Sequence, residues 1–175
     1  ELVYFSRSIH DITCSMGIVS SDNNRIKYYL ADGYRMLSKH DESTFLINEY
    51  LASTPSSSTQ YNKEIHYDML STLARIYSTN NDDRAYSIVR EIKKGSAKNS
   101  HRRLLADSIL AEKLPREEQI EKLKRIEKTA RGHNHIILAN NITLSLSSLE
   151  PAKENEYLTK VIETEQSTYT LVRAM

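Results

Sequence analysis

The chain has 175 residues, 24 Lys and Arg against 23 Asp and Glu, and a hydrophobic share of 39%. That is one domain's length with enough apolar material for a core, and it is not the composition of a disordered chain. Four Gly and three Pro are too few for the hairpins of a sheet or the strand-to-helix loops of an α/β fold, so an all-α chain is expected.

A single cysteine, Cys14, excludes an internal disulfide framework and fits a reducing compartment. No apolar run approaches the ~20 residues of a membrane span, and Glu1–Phe5 has no basic region or cleavage site of a signal peptide. A cytoplasmic protein without membrane contact is expected. The chain lacks an initiator Met, and Leu171–Met175 stops inside an apolar pattern, so a segment of a longer polypeptide is expected.

In chain order, apolar residues recur at helical spacing over 2–16, 23–39, 42–52, 62–78, 82–94, 98–113, 115–131, 134–147, 151–164 and 167–175. The punctuation agrees. Asn80-Asn81-Asp82-Asp83 can cap the helix that carries Ile88. Pro115 precedes Arg116-Glu117-Glu118, and Pro151 follows Glu150, each placing Pro in a first turn near carboxylates. Gly95 after Lys93-Lys94 and Gly132 after Arg131 read as left-handed stops behind basic last turns.

A repeat underlies this order. Leu-Ala-x-x-(Tyr/Ile) occurs at Leu30–Tyr34, Leu73–Tyr77, Leu105–Ile109 and Leu138–Ile142, with a weaker copy at Leu171–Met175. Successive Leu positions lie 43, 32, 33 and 33 residues apart, and the long first gap holds the polar segment 53–60 with Pro55. On a helix, Leu at i and Tyr or Ile at i+4 share a face, and the Ala beside Leu lets a second helix approach closely. A second amphipathic stretch follows each of the four copies. The expected organisation is a leading helix over 1–22, a repeat over 23–65 with the inserted loop, repeats over 66–97, 98–131 and 132–165, and the start of a truncated repeat over 166–175.

Leu73-Ala74-x-x-Tyr77 with Ala85 in the next helix resembles the tetratricopeptide repeat family, and the resemblance extends over roughly residues 23–175. The early Trp of that family is missing, Ile replaces Tyr in two copies, and the second-helix Ala is clear only at Ala85 and Ala152. The resemblance implies a right-handed α-α superhelix of antiparallel helix pairs, with about four to five repeats near 33 residues and first helices lining a concave groove. It implies groove positions two before each Leu and one after each Ala. These are Tyr28 and Asp32, Ser71 and Arg75, Arg103 and Asp107, Ile136 and Asn140, and Tyr169 and Arg173; Arg35 joins the first set. A polar groove of mixed sign with aromatic anchors suits a peptide, a partner helix or other domains of the parent chain. The basic clamp for chaperone tails is not reproduced, since Ile136 stands where a Lys is required.

Residues 84–132 hold fourteen Lys and Arg against seven Asp and Glu. Glu117, Glu118, Glu121 and Glu127 are interleaved at ion-pairing spacings, so a solvated, paired face is the first reading. A nucleic acid or acidic partner is the second. His133-Asn134-His135 supplies only two ligands, and no metal is expected. His10 and Cys14 at i and i+4 read as packing residues. No glycine-rich phosphate loop and no acid–base–nucleophile set is present, so neither cofactor nor enzyme activity is expected.

Overall fold

The computed structural model describes residues 21–58 and 61–174, without the side chains of residues 21, 22 and 166–174. The expected leading helix over 2–16, with His10 and Cys14, lies outside them. The described residues form eight α-helices and one 3-10 turn, with no strand. We number them α1 (Ser21–Met36), α2 (His40–Ser53), α3 (Lys63–Thr79), α4 (Arg84–Lys94), α5 (His101–Ala111), α6 (Arg116–Gly132), α7 (Ile136–Leu149) and α8 (Glu154–Ala174), with the 3-10 turn at Pro151–Lys153. The chain divides into two compact units, Glu1–Lys94 and Gly95–Met175.

In the first unit, α1 pairs with α2 and α3 with α4, while α3 also packs on α1 and α2. The shared core holds Leu30, Ala31, Tyr34, Leu46, Ile47, Tyr50, Ile65, Met69, Leu73, Ile76, Tyr77 and Ala85. In the second unit, α7 packs on α5, α6 and α8 around a core that includes Leu104, Ala111, Leu123, Ile126, Ala130, Leu138, Ala139, Ile142, Leu146 and Tyr157. Consecutive helices within each unit pack together through apolar stripes, as their spacing demands.

The repeat register is carried by the alanines. Ala31, Ala74, Ala106 and Ala139 are each fully buried. At the first of them the small side chain has a visible use: Ser43 of α2 donates its hydroxyl to the Ala31 carbonyl at 2.7 Å, which requires close approach of the two helices. Three of the four signature Leu residues are buried as well, while Leu105 is only partly so and its neighbour Leu104 enters the core instead.

The helix ends follow local chemistry, with some departures from expectation. Asp82 caps α4 through its side chain, accepting from the Arg84 amide at 2.9 Å. Asn62 caps α3 by accepting from Glu64 and Ile65. Gly132, expected as a left-handed stop, remains the last residue of α6; the left-handed residue is Asn134, with φ 59°. The His135 amide then reaches back to the Ala130 carbonyl at 2.8 Å. Asn tolerates this conformation because its short side chain bonds locally. Ser38 and Asn81 end α1 and α3 in the same way, with the next amide donating to Tyr34 and Tyr77 respectively. The break expected near residues 165–166 does not occur. Residues 163–168 contain neither Gly nor Pro, and α8 runs on as one helix to Ala174. Ala152, which matches the second-helix Ala of the resemblance, is exposed in the 3-10 turn.

Candidate functional site

The implied groove positions fall on α1, α3, α5 and α7, except Tyr169 and Arg173, which lie on α8 because no new first helix begins there, and the first unit brings several together. Tyr28, Asp32 and Arg35 occupy one face of α1 at spacings of four and three, and Arg75 occupies the neighbouring face of α3. All four are half-buried. Arg35 Nε donates to Asp32 Oδ1 at 2.8 Å. The Tyr28 hydroxyl is pushed up to about 12, first by burial, then by the negative charges of Asp32 and Asp68, against a lowering by Arg75. A hydroxyl that responds to Asp32 on its own helix and to Asp68 and Arg75 on α3 marks a surface where the two helices meet. The Tyr28 ring leans on the Tyr29 ring at 5.4 Å, and Tyr28 also packs on the core.

Asp68 was not among the groove positions, although it lies three residues before Ser71 and seven before Arg75, a spacing that marks one helix face. Ser71 contributes less than expected. It is buried, and its hydroxyl donates to the Tyr67 carbonyl of its own helix at 2.7 Å.

The second unit uses its implied positions differently. Arg103 and Asp107 are half-buried on α5, and Ile136 is half-buried at the start of α7. Asn140 is buried and its amide is engaged at both ends: Oδ1 accepts from Arg131 Nη2 at 3.1 Å, and Nδ2 donates to Glu165 Oε1 at 2.7 Å. It is a structural link between α6, α7 and α8 rather than a lining residue. Tyr169 and Arg173 lie where side chains are outside the described residues.

Several members of the basic run are engaged by neighbouring groups. Glu127, buried on α6, accepts from Arg131 Nε, from Lys160 Nζ at 2.8 Å and from Thr143 Oγ1 at 3.4 Å. Burial alone would raise its pKa, but the bonds from Lys160 and Arg131 outweigh that and hold it below the usual carboxylate range. Lys124 pairs with Glu150 at 2.7 Å, and Arg125 with Glu121 at 3.2 Å. Arg116 donates to the Leu149 carbonyl at the end of α7. Arg84 binds Asp82 and lies over the Tyr77 ring at 4.1 Å. Glu150, bonded by Lys124, Tyr157 and Lys153, is lowered to about 2.

His133 and His135 stack at 6.4 Å, and both bond Asn99, which fixes the turn before α7 against the start of α5. Among the described residues no group of three His, Cys, Asp or Glu is arranged to hold a metal ion, and no helix is long and apolar enough to cross a membrane. Compared with protein-family models, with characterised proteins and with solved structures, the chain finds no match.

Proposed function

We propose that the chain is a non-catalytic protein-interaction module of tetratricopeptide-like helical repeats, a regulatory or sensor segment of a larger cytoplasmic protein. Its ligand would be an extended peptide or a partner helix, from another protein or from the parent chain. The right-handed superhelix belongs to the same reading. The observation that carries it is the packing of α1 on α3, which sets the helix of Tyr28 and Asp32 beside that of Asp68 and Arg75. An aromatic ring set among both signs of charge gives a peptide an apolar anchor with polar groups to fix its register. Pairing of Lys124, Arg125 and Arg131 with local carboxylates weighs against the nucleic-acid alternative.

The test is selection from a random-peptide display library, followed by titration of a selected peptide against the chain and against Tyr28→Ala and Arg75→Ala. Each variant should weaken binding by at least about tenfold, the range of a contact near the centre of an interface. Unchanged affinity in both variants, with unchanged melting, would move the binding surface elsewhere.

A further inference from the structure

Helix α8 is seated differently from the two helices before it. Among its residues with described side chains, 154–165, only Tyr157 is buried. The other apolar residues of that stretch are the half-buried Val161 and the exposed Leu158 and Ile162. By contrast, α6 buries Leu123, Ile126 and Ala130, and α7 buries Leu138, Ala139, Ile142 and Leu146. Tyr157 anchors the start of α8. Its ring joins the core, and its hydroxyl donates to Glu150 at the end of α7.

Beyond Tyr157, polar groups tie the helix down. Lys160 Nζ reaches the buried Glu127 carboxylate of α6 at 2.8 Å. Thr164 Oγ1 accepts from Arg131 Nη1 of α6 at 3.2 Å, and Glu165 Oε1 accepts from Asn140 Nδ2 of α7 at 2.7 Å.

The helix also has little intrinsic stability. Seven of its 21 residues are Thr, Val or Ile, and β-branched side chains lose rotamer freedom against the preceding turn. Undocked, such a segment is marginal as a helix in water. Docking and helix formation are therefore one equilibrium for this element. An element with few buried apolar contacts opens at a lower free energy than the core it rests on. We propose that α8 is a releasable strap, which leaves its seat and melts while α6 and α7 stay folded, and whose latch is the polar set Lys160, Thr164 and Glu165. Release lays bare Glu127 and Asn140. That seat calls for a cation and a carboxylate five residues apart on a helix, as Lys160 and Glu165 supply.

Native-state hydrogen exchange of the full chain, resolved by residue in low urea, tests this. Amides of residues 158–165 should exchange through an opening of lower free energy than the core amides of α6 and α7. Lys160→Ala and Glu165→Ala remove latch groups while installing the best helix former, so propensity alone would slow exchange. Each should instead speed it in α8, by at least about tenfold for Lys160→Ala, which deletes a charge-assisted bond. Glu163→Ala, at an exposed position on α8, makes the same change away from the latch and should not speed exchange. Leu104→Val trims the core on α5, which packs on α6 and α7. It should speed the core amides of α6 and α7 and leave those of α8 unchanged. Exchange of α8 together with α6 and α7 in one step overturns the proposal. So does an α8 opening that neither latch variant speeds, or one that Glu163→Ala or Leu104→Val speeds as much as Lys160→Ala.

Discussion

Glu127 offers the sharpest test of how the second unit is held together. Its side chain is 9% exposed, and its carboxylate joins three helices: Arg131 on its own α6, Thr143 on α7 and Lys160 on α8. Glu127→Ala leaves the two cations in different positions. Lys160 is 47% exposed and can turn to water. Arg131 is only 21% exposed and keeps neutral acceptors at Asn140, Thr143 and Thr164, between 3.1 and 3.3 Å. Breaking a buried ion pair costs about 3–5 kcal/mol when the remaining charge is uncompensated. With one cation free to hydrate and the other partly satisfied, a cost of about 2–3 kcal/mol is expected. If the chain melts in one transition, that corresponds to a fall of roughly 5–10 °C in Tm. The assay is calorimetric melting near neutral pH of the parent, Glu127→Ala, Arg131→Met and the double variant, with a coupling of at least about 1.5 kcal/mol between the two sites. A loss below about 0.5 kcal/mol for Glu127→Ala would place the pair with ordinary surface bridges and refute the buried-network account.

Further outcomes follow from the packing and the titrating groups. Ala74→Leu adds bulk at a fully buried position and should cost roughly 1–3 kcal/mol by overpacking, read from urea melts. Glu150 has a folded value lowered to about 2, so the stability it contributes is present above about 4.3, the value of an unperturbed Glu, and is lost as pH falls toward 2. Glu150→Gln should accordingly flatten the decline of Tm across that acid range. The Tyr28 hydroxyl is raised to about 12, so its contribution is intact below about pH 10 and is lost as pH rises toward 12. Tyr28→Phe should remove one late-ionising tyrosine from the alkaline absorbance titration, and an unaltered late phase would contradict the environment drawn for it.

Much of the architecture was legible in residue order. Scarcity of Gly and Pro demands helix, and the Leu-Ala-x-x-(Tyr/Ile) spacing picks out the buried alanines Ala31, Ala74, Ala106 and Ala139, because helical periodicity alone decides which side chains share a face. What spacing cannot decide is which of several polar groups on neighbouring helices meet. Asn140 holds a position implied for a groove, but Arg131 and Glu165 occupy its amide across α6 and α8. Asp68 was overlooked because its relevance comes from Tyr28 on another helix. The turn before α7 uses Asn134 rather than Gly132, since the residues that follow a helix, and not glycine alone, determine where the chain can reverse. The uncharged character of α7 was present in the residues, whereas its two sides became distinct only when the core took Leu138 and Ile142 and left Ile137 and Leu144 outside. Local periodicity fixes faces; only the packing of non-adjacent helices determines which polar groups are consumed by the fold and which are left for a partner.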